Sequence, residues 1–259
     1  MNIPTFDGYI FDLDGTVYLG TTALPTAIET ITALRENERR VVFLSNNPTQ
    51  TRSMYADKLT QMGLPTTDDD VVNSSYVMVR WLLHEAPGCR VFVVGEQTLK
   101  DELTAAGFHL VENAKEIDFV IASFDRTFVY AKLQIAFDAI HAGARFVATN
   151  ADRYCPVPGG GEPDAAAVIA AIEACTDTRV ELVVGKPSAI MVQTIADMLH
   201  LPMASCMMVG DRLETDIAMG QAAGMATALP LTGATNREML ATAPIKPDYV
   251  LERLADLLE

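Results

Sequence analysis

Short apolar runs alternate along the whole chain with longer stretches in which apolar residues recur every three or four positions. Several of the short runs are apolar at every position, which is typical of strands that helices cover on both faces. The alternation predicts an α/β fold built on a parallel sheet that helices cover. The predicted strands are residues 8–11, 41–44, 91–94, 119–122, 146–148, 181–184, 206–209 and 225–228.

Helix signals occupy the stretches between these strands. Pro25 favours a first helical turn, and Ser188 is placed to cap the start of a later helix. Residues 130–142 carry an apolar stripe at helical spacing, which predicts another helix. The Ala-rich stretch 164–174 predicts one more, and the Gly- and Pro-rich segment 157–163 before it predicts a loop or a domain junction.

The charge balance of this 259-residue chain is strongly acidic, with 19 Lys and Arg against 34 Asp and Glu and a formal net charge of −15. Clustered Lys and Arg hold nucleic acid backbones and anionic lipid, so this balance argues against a nucleic acid polymer or a membrane surface as partner. With 49% hydrophobic and 20% charged residues, the composition is that of a globular protein. The length suits one large domain or a core with a smaller module.

The four cysteines lie far apart and form no Cys-x-x-Cys pair, so neither a zinc site nor a disulfide framework is indicated. The N-terminal residues 1–11 lack the basic and apolar regions of a secretory signal. No apolar run approaches the roughly 20 residues of a membrane-spanning helix. These features predict a cytoplasmic protein, and a homo-oligomer is one arrangement that the sequence leaves open.

Four predicted strands lead into residues that can carry chemistry, and open α/β sheets bind their ligands where strands end. Asp12 and Asp14 leave the first strand one residue apart. In extended backbone both carboxylates point to the same side, and the clustered negative charge favours a divalent cation. Ser45, Asn46 and Asn47 follow the second strand, and their hydroxyl and amide groups can donate hydrogen bonds to phosphate oxygens.

The two remaining strand ends add one cation and more carboxylates. Lys186 stands in Gly-Lys-Pro-Ser after the strand 181–184, without the upstream glycine of a Walker A loop. Asp211 and Asp216 follow the strand 206–209. Together with the aspartates of the first strand, they offer enough oxygen ligands for Mg²⁺.

In order, residue type and placement, these motifs resemble the haloacid dehalogenase superfamily, and within it the NagD-like branch of phosphatases. The resemblance implies a Rossmann-like core, residues 1–85 and 179–259, with a smaller α/β cap of the C2 type, residues 86–178, inserted between the second and third motifs. The matching motifs are Asp12-Leu13-Asp14-Gly15-Thr16-Val17-Tyr18, Ser45-Asn46-Asn47-Pro48, Gly185-Lys186-Pro187-Ser188 and Gly210-Asp211-Arg212-Leu213-Glu214-Thr215-Asp216, with Ala148-Thr149-Asn150 in the middle of the chain.

The resemblance implies a Mg²⁺-dependent phosphomonoester hydrolase for sugar, polyol or nucleoside monophosphates and for 4-nitrophenyl phosphate. Asp12 is then the nucleophile that forms an aspartyl-phosphate, and Asp14 protonates the leaving oxygen and later activates water. The expected metal ligands are Asp12, the main-chain carbonyl of Asp14 and Asp211. An acid at position 14 suits an alkoxide leaving group, whereas a halide needs no proton, so dehalogenation is disfavoured.

Positive charge is needed because a carboxylate repels the phosphate dianion that it attacks. Lys186 supplies part of that charge by the same resemblance, as a catalytic and substrate-binding residue. Ser45, Asn46 and Asn47 are expected to bind the phosphoryl oxygens. Asp216 is expected to act from behind the metal ligands, where it holds a water or orients Lys186.

Three other interpretations of the same residues compete with hydrolysis. A receiver-type signalling module also uses a phosphorylated Asp and a distant Lys, but it needs neither Asp14 nor a long insert. A non-catalytic phosphate-binding module would have little reason to keep the complete set of residues. A phosphotransferase or mutase would pass the phosphoryl group to an acceptor other than water, and it would have to exclude water from the site.

The cap predicts substrate preference through its charges. Relatives commonly show a Pro-Gly-x-Gly pattern near this turn, and the turn of this chain also carries Glu162 and Asp164. We expect the added negative charge to disfavour substrates with a second anionic group, such as phosphoglycolate, relative to neutral polyol or sugar phosphates.

Overall fold

The computed structural model describes residues 3–157 and 159–258, so Pro158 of the predicted loop 157–163 lies outside the described residues. The strands found there include all eight predicted ones, most within one or two residues of their expected bounds. The strands are β1 (Gly8–Asp12), β2 (Tyr18–Leu19), β3 (Thr22–Ala23), β4 (Arg40–Ser45), β5 (Val71–Asn73), β6 (Arg90–Val94), β7 (His109–Leu110), β8 (Phe119–Ala122), β9 (Arg145–Ala148), β10 (Tyr154–Val157), β11 (Gly160–Pro163), β12 (Leu182–Val183), β13 (Cys206–Val209), β14 (Ala226–Pro230) and β15 (Tyr249–Leu251).

Helices separate most of these strands, and within the described residues none is long and apolar enough to cross a membrane. The predicted cap Ser188 is confirmed, because its Oγ accepts a hydrogen bond from the backbone N–H of Met191 at 3.3 Å. The helices are α1 (Ala27–Glu36), α2 (Arg52–Gln61), α3 (Ser74–Glu85), α4 (Gln97–Ala105), α5 (Tyr130–His141), α6 (Ala165–Thr176), α7 (Ala189–Leu199), α8 (Ala218–Ala222) and α9 (Arg237–Thr242).

The chain divides into two compact units. The first unit comprises Met1–Ser45, Arg52–Val72 and Lys186–Glu259. The second unit comprises Asn46–Thr51 and Asn73–Gly185. Both units are α/β, as the alternation of apolar runs and helical stretches predicts.

The first unit contains a six-stranded sheet in the order β15-β14-β13-β1-β4-β5. Strand β1 pairs in parallel with both β4 and β13, and all five of its residues are buried. Strands buried on both faces need helices on both sides, which explains the continuous apolar run. Phe11 and Phe43 pack in one apolar cluster with Ile31 of α1 and Leu59 of α2. Burial of each such side chain contributes about 1.5–3 kcal/mol to stability.

The second unit contains a parallel five-stranded sheet in the order β12-β9-β8-β6-β7. Its core joins Val120 and Phe146 of the sheet to Ile140 of α5 and Ile172 of α6. The unit can therefore bury an apolar core of its own.

An antiparallel hairpin of β10 and β11 occupies the region where the sequence predicts a loop. The prediction of a loop over 157–163 was wrong for Gly160–Pro163, which form β11. Cys155 pairs with Glu162 and Tyr154 with Pro163, and Gly159 adopts a positive φ of 86° between the strands. The composition suggests a loop because Gly and Pro are rare in strands, but cross-strand pairing outweighs that propensity.

The second unit extends beyond the predicted cap range 86–178 at both ends. Helix α3 joins it through Trp81, which packs edge-on against Phe119 at 5.8 Å between ring centroids, and through an ion pair of Glu85 with Arg145. Strand β12, which the prediction assigns to the core, pairs in parallel with β9. Both elements lie outside 86–178 but find their packing and pairing partners in the second unit.

Candidate active site

Asp12 and Lys186 form a buried ion pair at the carboxyl end of β1. Lys186 Nζ donates to Asp12 Oδ1 at 2.5 Å and to Asp216 Oδ1 at 2.7 Å. The lysine side chain is only 4% exposed, and the peptide bond that follows it, to Pro187, is cis. One ammonium group therefore joins two carboxylates that come from distant parts of the sequence.

Asp216 lies in a π-helical turn, Leu213–Ile217, and both of its carboxylate oxygens have partners. Besides the lysine contact, Asp216 Oδ2 accepts from the backbone N–H of Arg212 at 3.0 Å. Gly210 makes room for this carboxylate, since a Cβ at that position would overlap Asp216. Asp216 thus has the contact with Lys186 that an orienting residue requires.

Asp211 has one held and one unsatisfied carboxylate oxygen. Its Oδ2 accepts from the backbone N–H of Ala234 at 2.5 Å. Its Oδ1 is buried and has no hydrogen-bond partner, which is costly for a carboxylate unless a ligand supplies one.

A metal ion fits this donor set. Asp12, Asp211 and Asp216 each present a carboxylate oxygen, and these atoms lie within 4.8 Å of one another. Hard divalent cations prefer such oxygen ligands, and the unsatisfied Oδ1 of Asp211 is the atom that most needs a cation. The cluster can therefore hold a divalent metal.

Burial raises the pKa of all the carboxyl groups in this cluster. It raises the pKa of Asp12 to about 7 against the opposing charge of Lys186. Burial also raises the pKa values of Asp211 and Asp216 above the ordinary range. For Lys186, burial alone would lower the pKa, but the charges of Asp12 and Asp216 outweigh burial and raise it. The lysine therefore stays positively charged.

Asp14 is tied to its neighbours by a tyrosine. Tyr18 Oη donates to Asp14 Oδ2 at 3.4 Å, and Lys58 Nζ lies 3.5 Å from the centroid of the Tyr18 ring. Burial raises the pKa of Asp14, which the positive charge of Lys58 and the Tyr18 hydrogen bond partly oppose. Burial also raises the pKa of Tyr18, so its hydroxyl keeps its proton.

Ser45 ends β4 in the first unit, whereas Asn46 and Asn47 belong to the second. Ser45 Oγ shares a hydrogen bond of 3.1 Å with Tyr55 Oη. Asn46 Nδ2 donates to Asp152 at 2.9 Å, and Asn47 Oδ1 accepts from the backbone N–H of Thr49 at 2.9 Å. The amide side chains therefore make local contacts within the second unit, and their binding of phosphate stays a prediction.

Asp164 and Glu162, the two cap residues predicted to affect substrate preference, have different surroundings. Asp164 was predicted to add charge near the substrate, but it is 4% exposed and caps α6, where it accepts from Ala165 N and from Asn150 Nδ2. Glu162 lies 3.5 Å from the guanidinium of Arg126. The predicted discrimination against phosphoglycolate therefore rests on Glu162 alone.

Several residues that shape the site have no motif of their own. Thr232 Oγ1 donates to the carbonyl of Gly15 at 2.8 Å, and a Cβ at Gly233 would overlap the Asp211 carboxylate. These two residues follow β14, so they lie at a fifth strand end, which is the kind of position where open α/β sheets place their sites. Tyr18 ends the first motif without a role predicted for it, and Lys58 gives no signal, because only the fold shows which face of α2 meets Tyr18.

Known proteins resemble this chain in sequence and in fold over almost its whole length. Residues 9–109 match the family model for haloacid dehalogenase-like hydrolases, and residues 183–257 match a HAD-hydrolase-like model. Sugar-phosphatase AraL of Bacillus subtilis is 40% identical over 252 residues, which cover 96% of this chain and 91% of AraL. The p-nitrophenyl phosphatase from Archaeoglobus fulgidus has a TM-score of 0.93 at 33% identity and covers 98% of this chain and 99% of its own. NagD from Escherichia coli K-12 has a TM-score of 0.88 at 29% identity, with 98% of both chains covered.

A parallel sheet that carries a lysine-bridged set of carboxylates at its strand ends defines a hydrolase of the haloacid dehalogenase type. The chain belongs to the haloacid dehalogenase-like hydrolase family, in its NagD-like branch. Within that family it is a phosphoric monoester hydrolase. The family, fold class and enzyme class predicted from the sequence are confirmed.

Proposed function

We propose that this chain is a Mg²⁺-dependent phosphatase that hydrolyses small phosphorylated metabolites, with sugar phosphates as the first class to test. The observation that carries the mechanism is the buried Lys186 ammonium, which bridges Asp12 and Asp216 beside the unsatisfied Oδ1 of Asp211. The name of AraL, a sugar phosphatase, supports sugar phosphates ahead of the polyol and nucleoside monophosphates that the motifs also allow.

The charges of the site show why a cation is needed. Asp12, Asp211 and Asp216 together carry three negative charges when ionised, against one positive charge on Lys186. A phosphate dianion cannot approach such a site unless further positive charge is present. Mg²⁺ held by Asp12, the carbonyl of Asp14 and Asp211 would supply that charge when bound.

Asp12 is the proposed nucleophile. Lys186 holds its Oδ1, which orients the carboxylate at the end of β1. The carboxylate forms a bond to phosphorus while the bond from phosphorus to the ester oxygen breaks, and Asp14 gives its proton to that oxygen. Water then attacks the phosphorus of the aspartyl-phosphate, the bond from phosphorus to the Asp12 oxygen breaks, and inorganic phosphate leaves. The water gives a proton to Asp14, so both residues are restored.

Ser45 and Lys186 are the proposed contacts of the phosphoryl oxygens. Ser45 is 3% exposed at the end of β4, and its hydrogen bond with Tyr55 limits the orientation of the hydroxyl. Donors held in place in this way stabilise the charge that spreads over the phosphoryl oxygens without reorganising during the reaction.

The first experiment measures release of 4-nitrophenol and of inorganic phosphate from 4-nitrophenyl phosphate, with Mg²⁺ and with EDTA. We expect metal-dependent release that Asp12→Asn lowers by more than about 1,000-fold, since the variant keeps the shape but loses the nucleophile. The matched control is Asp197→Asn, which changes an exposed aspartate of α7 and should leave the rate unchanged.

Folded, Mg²⁺-saturated wild type that releases neither product would overturn the proposal. A different result would indicate a phosphotransferase. In that case 4-nitrophenol is released without an equal amount of phosphate, and its release continues only when an alcohol is added to accept the phosphoryl group. Once turnover is established, the same assay ranks sugar, polyol and nucleoside monophosphates by kcat/KM.

A further inference from the structure

Two buried tyrosines each place a hydroxyl against a residue of the proposed active site. Tyr18 is 0% exposed and donates to Asp14 Oδ2, and Tyr55 is 1% exposed and shares a hydrogen bond with Ser45 Oγ. A buried tyrosine hydroxyl needs a polar partner, so each ring is held in one position by packing and by its polar end. Each tyrosine can therefore set the orientation of the group that it contacts.

The backbone brings Tyr18 and Asp14 together as well. Gly15 N donates to the carbonyl of Tyr18 at 2.8 Å, and Val17 N donates to the carbonyl of Leu13 at 2.9 Å. Asp14 and Tyr18 form an isolated bridge of the strand type across this turn. The carboxyl of Asp14 and the phenol of Tyr18 are thus fixed to each other by main chain and side chain together.

Lys58 completes the arrangement from α2. Its Nζ lies 3.5 Å from the centroid of the Tyr18 ring, well within the distance of a cation–π contact. Lys58 follows Tyr55 by three positions, so both side chains project from the same face of the helix. One helix therefore supports Ser45 through Tyr55, and Asp14 through Lys58 and Tyr18.

We propose that Tyr18 and Lys58 are positioning residues that hold the Asp14 carboxyl toward the leaving oxygen of the substrate. This inference rests on the proposed function, because it requires Asp14 to protonate that oxygen. Neither residue is assigned a contact with substrate. Tyr18 acts through its hydrogen bond to Asp14, and Lys58 acts through its contact with the ring of Tyr18 and through its charge near Asp14.

The consequence of losing this support depends on the leaving group. Proton donation matters most for a basic leaving oxygen and least for 4-nitrophenolate, which departs readily as the anion. A misplaced Asp14 should therefore slow phenyl phosphate and sugar phosphates more than 4-nitrophenyl phosphate. Loss of the Tyr55 contact should instead slow all esters alike, since Ser45 is the proposed contact of the phosphoryl group that they share.

The test compares kcat/KM for 4-nitrophenyl phosphate, phenyl phosphate and the best sugar phosphate at saturating Mg²⁺. This quantity covers the steps up to departure of the leaving group, so the later attack of water does not enter it. The variants are Tyr18→Phe, Lys58→Met and Lys58→Arg, with Asp14→Asn as the reference and Tyr55→Phe as the matched control. All of them are checked by circular dichroism and thermal unfolding.

For Tyr18→Phe and Lys58→Met we expect a loss of less than about 3-fold on 4-nitrophenyl phosphate and of about 10–100-fold on the esters with basic leaving groups. Lys58→Arg should recover most of that loss, because it restores the cation over the ring. Asp14→Asn should show the same dependence on the leaving group to a greater degree. Tyr55→Phe should slow all three esters by the same factor.

An equal loss on all esters, or no loss on any, in Tyr18→Phe and Lys58→Met would overturn the inference. Retained hydrolysis of 4-nitrophenyl phosphate shows that a variant is folded, and Lys58 is half-buried, so its replacement provides a second, milder test. Failure of the proposed function is distinct: the wild type is inactive, or Asp14→Asn itself shows no dependence on the leaving group.

Discussion

The two oxygens of Asp211 have different surroundings, and that difference decides what this residue can do. Oδ2 is held by the backbone N–H of Ala234, while Oδ1 is left without a protein partner. Gly15 and Gly233 border the carboxylate so closely that a side chain at either position would collide with it. Two glycines and one backbone amide thus hold the Asp211 carboxylate in place and leave Oδ1 for a ligand.

We predict that Gly233→Ala weakens metal binding, because its methyl group would overlap the Asp211 carboxylate and turn it. Loss of groups that orient a ligand typically costs 10–100-fold in metal affinity, so we expect an increase of about that size in the dissociation constant. Mn²⁺ titration followed by electron paramagnetic resonance measures it directly. Gly160→Ala is the control, since a Cβ there meets open space. Unchanged Mn²⁺ affinity in a folded Gly233→Ala protein would contradict this account of Asp211.

At the scale of elements, helix termini show how a charged residue can serve structure instead of substrate. Asp164 is buried at the start of α6, where it accepts from the helix backbone and from Asn150. The orphan N–H groups of a first helical turn and the positive end of the helix dipole both favour a carboxylate there. The sequence shows the aspartate before an Ala-rich helix, but only the fold shows that it is buried.

We predict that Asp164→Ala destabilises the protein by about 1–2 kcal/mol, the usual cost of losing an N-cap. Asp164→Asn should lose less, because its side-chain oxygen can still accept from the backbone. Equilibrium unfolding in urea measures both values. If Asp164→Ala kept wild-type stability and instead improved kcat/KM for phosphoglycolate, the residue would line the substrate site after all.

At the scale of the whole molecule, the acidic site makes stability depend on pH and metal together. Asp12 has a pKa of about 7 in the folded chain, above the ordinary carboxyl value of 3.8. The folded state therefore binds more protons than the unfolded state between about pH 4 and pH 7, and its stability must fall as the pH rises through that range. Carboxylates paired with arginine, such as Asp118 and Glu181, have lowered pKa values. They therefore change the stability mainly below this pH range.

We predict that the melting temperature in EDTA falls by about 5 °C between pH 5 and pH 8. The raised pKa of Asp12 corresponds to a loss of a few kcal/mol of stability over this range, which is enough to produce such a shift. Mg²⁺ should raise the melting temperature more at pH 8 than at pH 5, because it binds the deprotonated carboxylates. Thermal unfolding followed by circular dichroism measures both trends. Asp12→Asn should flatten the dependence in EDTA. A wild-type melting temperature that rises with pH in EDTA would show that the cluster is not protonated as described.

Local patterns along the chain were enough to predict the α/β class, the eight strands and the strand-end motifs. Apolar runs and helical spacing are local properties, and parallel strands place their carboxyl ends at one edge of a sheet. The rule holds for Asp12 and Asp211, whose strands β1 and β13 are neighbours in one sheet. Lys186 follows β12, which belongs to the sheet of the second unit, so its contact with Asp12 at 2.5 Å follows from the resemblance and not from a shared sheet. The family resemblance of those motifs was sufficient to predict the enzyme class.

The use of the remaining residues depends on which elements meet in the folded chain. Strand β12 pairs with β9 in the second unit, and β10 and β11 form a hairpin from a Gly- and Pro-rich segment. No local pattern shows that Asp164 is buried, that Lys58 contacts Tyr18, or that a side chain at Gly233 would overlap a carboxylate. Pairing, burial and close approach depend on which elements meet in space, and local spacing along the chain does not encode that choice.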